Sequence, residues 1–259
     1  MNFVEIEAGG RSLRIEHAWV GDLGAAPLLV FLHEGLGSLS MWKDFPAQLC
    51  AAAGCRGLVY SRPGYGRSTP RAPDERWAPD FMHHQADVVL PALLQALDVT
   101  TPPWLFGHSD GGSIALLHAA HHARRVAGAI VVAPHIFVED VSIASIAQAR
   151  LAYRETDLRQ RLSRYHDDPD SAFWGWNDIW LAPDFRAWNI ECELSAIACP
   201  LLAVQGVDDE YGTLAQVRDI ARHVPQARVL EMPACGHSPH RDQPAALIAA
   251  AAAFIAERR

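Results

Sequence analysis

The most constraining feature of this 259-residue chain is Gly107-His108-Ser109-Asp110-Gly111-Gly112, set between the apolar run Trp104-Leu105-Phe106 and a helical stretch over residues 113–123. A serine bracketed by glycines at a strand-to-helix junction implies a turn too tight for bulky neighbours, with Oγ lifted clear of the backbone. The helix start behind it offers N–H groups and the positive end of a dipole, which suit a developing oxyanion. The plain alternative is a glycine-rich turn with an incidental serine. The strand and helix on either side favour the catalytic reading.

The surrounding pattern predicts a sheet to carry that turn. Residues 3–7 and 12–19 alternate as a hairpin around Gly9-Gly10. Residues 28–32 form a continuous apolar run ending in His33-Glu34-Gly35-Leu36-Gly37, the look of a buried parallel strand feeding a loop. Helices are expected over 41–53, 81–97, 213–223 and 244–255, and further strands over 57–60, 126–133, 201–205 and 228–232. Strands alternating with helices predict an α/β fold: a mostly parallel central sheet with helices on both faces. The alternation breaks between residues 136 and 198. That stretch has helical pieces over 143–153 and 157–165 and a cluster of Phe173, Trp174, Trp176, Trp180, Phe185 and Trp188. It is too long for a plain loop. It reads as an inserted helical lid, with 1–135 and 199–259 as the core domain.

A serine hydroxyl needs a base, and on such an elbow the partners follow in the order serine, acid, histidine. Of thirteen histidines, His237 lies in Ala234-Cys235-Gly236-His237-Ser238-Pro239, between the last strand and the last helix. His240 is a neighbouring loop or helix-start histidine. The acid is expected after strand 201–205, in Gly206-Val207-Asp208-Asp209-Glu210. A Gly-x-x-Asp frame selects Asp209 to hold the histidine tautomer, leaving Asp208 and Glu210 solvated or paired with a basic side chain. The oxyanion donors are expected to be the backbone N–H of Asp110 and that of Gly35, with Leu36 as alternative. The candidate substrate-binding residues are Glu34, Leu36, His108, His135, Trp174, Trp176 and Trp180. The lid aromatics could equally form a core of their own.

With elbow, acid and histidine placed, the chain resembles the α/β-hydrolase superfamily over essentially its whole length. The resemblance implies a serine hydrolase acting on a small carboxylic ester through an acyl-enzyme. Thioester, lactone, amide or C–C cleavage is the alternative, and a non-catalytic hydrolase-fold receptor or scaffold a further one. The elbow is similar to that of the valacyclovir-hydrolase-like branch, where an aspartate follows the nucleophile and helps bind the ammonium of an α-amino-acid ester. Carried to Asp110, this implies a cationic substrate, unless Asp110 pairs with a protein base or caps its helix. Two departures stand out. Many members have His-Gly in the oxyanion loop where this chain has His33-Glu34. The Glu34 carboxylate would oppose an oxyanion unless paired, with Arg62 as the expected partner, or unless it meets a cationic part of the substrate. The meta-cleavage-product C–C hydrolases typically carry Asn before the nucleophile and Trp after the final histidine; here those positions are His108 and Ser238. Ser109 also separates the chain from the aspartate-nucleophile epoxide hydrolases and haloalkane dehalogenases.

Half of the residues are hydrophobic, a fifth are charged, and the formal net charge is −8. The acidity points away from nucleic acid and anionic membrane as partners and leaves a small-molecule substrate. The N-terminal residues lack an apolar signal segment, no run is long enough to span a bilayer, and the five cysteines show no metal-ligand spacing. A cytoplasmic protein with reduced thiols, no metal and no cofactor is expected. The oligomeric state is left open.

Overall fold

The computed structural model describes residues 2–21, 24 and 26–258. Eight strands form one sheet: β1 (Asn2–Ala8), β2 (Arg11–Val20), β3 (Leu28–Leu32), β4 (Arg56–Tyr60), β5 (Trp104–His108), β6 (Gly128–Val132), β7 (Leu201–Gly206) and β8 (Arg228–Met232). Their spatial order is β1-β2-β4-β3-β5-β6-β7-β8. The β1–β2 and β2–β4 pairings are antiparallel, and all pairings from β4 to β8 are parallel. Gly9 and Gly10 make the first hairpin turn at φ 59° and 74°, a region glycine enters without steric cost.

Because strand side chains alternate, β3 feeds two cores. Leu28, Val30 and Leu32 pack toward Met82, Leu90, Ile114 and Val217, so the helical turns over 81–96 and the helices Asp110–His121 and Ala215–His223 cover that face. Leu29 and Phe31 pack toward Phe45, Leu49, Leu247 and Phe254, so helices Phe45–Ala53 and Pro244–Ala256 cover the other. Both faces of the central strands are therefore apolar, which is why they read as unbroken hydrophobic runs. Each fully buried Leu or Phe contributes about 1.5–3 kcal/mol.

Between β6 and β7 the chain forms helices Asp140–Glu155, Leu158–Leu162, Pro169–Trp180 and Glu191–Leu194. The third and fourth were not anticipated from the sequence. Among the described residues no helix is long and apolar enough to cross a membrane. The parallel strands β3, β5, β6, β7 and β8 all end at one edge of the sheet. The loops after them therefore gather residues 33–37, 109–110, 133–135, 207–212 and 233–238 in one place.

Candidate active site

At the end of β5, Ser109 adopts φ 53°, ψ −122°, and helix Asp110–His121 begins at the next residue. A non-glycine residue held at positive φ costs on the order of 1–3 kcal/mol and persists only where the surroundings impose it. Here they do. A Cβ at Gly107 would collide with the Gly111 carbonyl, and one at Gly111 with the Leu32 carbonyl. Glycine thus lets the helix start seat directly on β3. The Ser109 N–H donates to Val132 O at 2.9 Å, while Gly112 N and Ser113 N donate back to Ser109 O at 2.8 and 3.1 Å. The N–H groups of Asp110 and Gly111 fall outside that helical ladder.

The loops after β7 and β8 touch closely: a Cβ on Gly206 would strike the carbonyls of Cys235 and Gly236. This contact brings Asp209 to His237. The His237 Nδ1 lies 2.9 and 3.0 Å from the two Asp209 oxygens, and its Nε2 lies 3.0 Å from Ser109 Oγ. Asp209 also accepts from the N–H groups of Tyr211 (2.8 Å) and Gly212 (3.2 Å) and from Gln205 Nε2 (3.0 Å). Burial alone would raise the Asp209 pKa. The hydrogen bond and charge of His237, with the Tyr211 N–H, outweigh it and hold the pKa below the ordinary value. The Gly-x-x-Asp frame thus picks the residue that meets His237. Asp208 is exposed. Glu210 is exposed, as expected, and in addition accepts the backbone N–H of His237 at 3.1 Å.

Two charged neighbours are arranged differently from the sequence reading. Arg241 Nη2 donates to Glu34 Oε1 at 2.9 Å, and His108 Nδ1 lies 3.5 Å from Glu34 Oε2. Burial raises the Glu34 pKa, but His108, Arg241 and His240 together bring it well below the ordinary value. The expected partner, Arg62, reaches only the Glu34 backbone carbonyl (2.9 Å) and lies 3.7 Å from Asp110 Oδ2. Trp180 Nε1 donates to Asp110 Oδ1 at 3.1 Å, and Asp110 is fully buried. Trp180 thus holds one carboxylate oxygen and the Arg62 guanidinium lies near the other, a protein pairing that counts against the ammonium-binding role. Burial raises its pKa against the opposing effect of Arg62. His33 ties the same loops together: its Nδ1–H donates to Glu34 O at 2.7 Å while Nε2 accepts from Arg62 N–H at 3.0 Å. Those two bonds fix a neutral tautomer, in keeping with a pKa lowered first by burial and then by Arg62.

Ser109, Asp110 and His237 border a cavity of about 310 Å³, also lined by Glu34, Gly35, Leu36, His108, His135, Trp176 and Trp180. Trp174 does not line it and is corrected. It stands two residues from Trp176 on helix Pro169–Trp180, hence on another face, and packs edge-on against Tyr153 and Phe173 at 5.4 and 5.0 Å. Trp188 stacks on Phe185 instead. Gly35 has a steric reason to be glycine, since a Cβ would meet the Trp176 indole. His135 lies 4.8 Å from the Trp180 ring, and burial followed by the nearby His237 lowers its pKa to about 3. His240 is buried against Trp42 and Phe45 at the start of helix Pro239–Asp242, a packing role.

Sequence reasoning missed Ile146, Leu158 and Leu162, which give the cavity an apolar wall, and Tyr211 and Arg241 beside His237. The Tyr211 ring centroid is 4.7 Å from that of His237. The i, i+4 pair Leu158/Leu162 was the available signal.

A sequence model of the Alpha/beta hydrolase family matches residues 29–251, and the chain belongs to that family. It is 28% identical to 2-succinyl-6-hydroxy-2,4-cyclohexadiene-1-carboxylate synthase of Enterobacter sp. (strain 638), over 88% of this chain and 92% of that protein. Among solved structures it is similar to a thermophilic esterase from Thermogutta terrifontis (TM-score 0.77, 20% identity, 100% and 99% of the two chains). It is also similar to the enol-lactonase from Burkholderia xenovorans LB400 (TM-score 0.76, 22% identity, 97% and 99%). At these identities the two structures speak for the fold.

Proposed function

We propose that this hydrolase cleaves small carboxylic esters through an acyl-enzyme on Ser109. The observation that carries the reading is the hydrogen-bonded chain Asp209–His237–Ser109, with its serine at the floor of the cavity. Ser109 Oγ attacks the ester carbonyl while His237 Nε2 takes its proton. Asp209 holds the Nδ1 proton and stabilises the imidazolium. The tetrahedral oxyanion is received by the N–H groups of Asp110 and Gly35. Gly37 N donates to Glu34 O at 3.0 Å, a turn whose closing bond leaves the N–H of Gly35 uncommitted to it. His237 then protonates the leaving alkoxide, and water, activated by the same histidine, releases the acid.

The cavity volume is at the small end for ligand sites. Ile146, Leu158, Leu162 and Trp176 offer an apolar face, while the Glu34 charge is met by Arg241. A compact, uncharged, apolar acyl group suits this lining. We assign residues 136–198 the role of a lid that excludes water. The mechanism draws on protein groups and water alone. A second reading, cleavage of a lactone or a C–C bond, draws on the likeness to the cyclohexadiene-carboxylate synthase and the enol-lactonase. Fluorophosphonate labelling with mapping of the adduct, followed by esters, thioesters, lactones and vinylogous diketones, tests both. An adduct on Ser109 with fastest turnover of short-chain esters is the expected result. No adduct would overturn the serine mechanism, and fastest turnover of a diketone would transfer the proposal to C–C cleavage.

A further inference from the structure

We propose that Glu34 is a positioning residue for His237, acting through His108 on one side and Arg241 on the other. The inference rests on the reading of Ser109 as nucleophile and His237 as its base. His237 lies in a loop without regular structure after β8, where Ala234 sits at φ 51°. Side chains hold that loop. Its first half is anchored by Asp242, which accepts from Gly236 N at 2.9 Å, and by Gln243, whose amide donates to the carbonyls of Pro233 and Ala234. At His237 itself, Glu210 takes the N–H and His108 Nε2–H donates to the carbonyl at 2.7 Å.

Glu34 reaches this loop by both of its oxygens. Oε2 faces the other nitrogen of the His108 ring at 3.5 Å, and the side chains of His108 and Glu34 are only 1% and 15% exposed. Oε1 accepts from Arg241 on the short helix Pro239–Asp242, which starts two residues after His237. The carboxylate is folded against Gly37, where any Cβ would strike it. The links close a ring: Ser109, its neighbour His108, Glu34, Arg241, the 237–241 segment, and His237 back to Ser109 Oγ. Glu34 belongs to the same loop as Gly35, so the ring sets the spacing between the base and the loop assigned to the oxyanion. A base displaced by about 1 Å can lose on the order of a hundredfold in rate.

The alternative for Glu34 and Arg241 is direct contact with a charged substrate, and steady-state kinetics separates the two. With a p-nitrophenyl ester, Glu34→Gln and Arg241→Gln should each lower kcat by about 10- to 100-fold with KM within about twofold. The rate of fluorophosphonate labelling should fall in parallel, because that reagent carries no charged group for Arg241 to pair with. The double variant should be no worse than the poorer single one, since both break the same ring. Thermal denaturation checks that each variant is folded. Arg241 is half exposed, so its variant keeps the test open if Glu34→Gln fails to fold. A raised KM with kcat and labelling intact would overturn the proposal in favour of substrate contact. Unchanged kinetics, or additive losses, would also overturn it. Wild-type protein that takes no label on Ser109 would instead overturn the proposed function itself.

Discussion

Ser109 is held at positive φ by neighbours that have no room for side chains, so its replacement by alanine leaves the elbow's backbone reasons intact. Ser109→Ala should therefore fold and melt like wild type while kcat drops by about 10⁶, as for other serine triads. Retained hydrolysis in a purified variant would contradict the mechanism. Asp209→Asn should cost on the order of 10⁴ in kcat, because an amide can present its N–H to His237 Nδ1 and select the wrong tautomer. Asp208→Asn, at an exposed position, should change kcat by less than about threefold. The reverse order of effects would reassign the acid. At this scale the sequence was most legible where chemistry demands a local pattern. The glycines around Ser109 and the Gly-x-x-Asp spacing are such patterns. It was illegible where charges meet across strands. Asp110 is matched by Arg62 from the loop after β4 and by Trp180 from the inserted helices, and nothing local announces either.

Helix Pro169–Trp180 shows the same division between elements. Its aromatic residues are indifferent helix formers, so propensity did not reveal it. The signal present was Asp168-Pro169, a capping acid followed by proline at the first helical position, and Asp168 does accept from Ser171 N at 2.9 Å. Once the helix is known, 3.6-residue geometry sorts its tryptophans: Trp176 and Trp180 face the cavity, and Trp174 faces Tyr153. Trp176→Ala should open the cavity and move the optimum toward longer acyl chains, read as kcat/KM over acetyl to octanoyl esters. It should also cost about 3–5 kcal/mol of stability, as for other buried aromatics. Trp174→Ala should leave the chain-length profile in place. If both variants shift the profile alike, the tryptophan does not shape the acyl site directly. The central strands, by contrast, were found to within a few residues, because burial on two faces leaves an unbroken apolar run bounded by turns.

Across the whole molecule, buried histidines tie stability to pH. Burial, first among the causes, lowers His118 to about 4, His135 to about 3 and His240 to about 2, and also lowers His17, His33 and His166. Below about pH 6.5 the unfolded chain takes up protons at these positions that the folded chain refuses, so acidification favours unfolding. For the first three, each loses about 2 kcal/mol by pH 5, a sum comparable to the net stability of an ordinary domain. Asp209, with its pKa lowered, adds a loss at still lower pH as its carboxylate is protonated. His121 has the opposite sign. Burial lowers its pKa, but Asp87 and Glu193 raise it by more, so its contribution is present in acid and fades as pH rises above its unfolded value. Urea unfolding should show stability falling by several kcal/mol from pH 7 to pH 5. A flat profile would mean that the buried histidines charge inside the fold. The order of the site along the chain has a consequence during synthesis. Ser109 and His237 are separated by 128 residues. At about 5–20 residues per second, the serine leaves the ribosome on the order of ten seconds before its base. On the proposed mechanism the nascent chain carries an ordinary alcohol until then, stays chemically silent while it is being made, and switches on only as the loop that carries His237 closes.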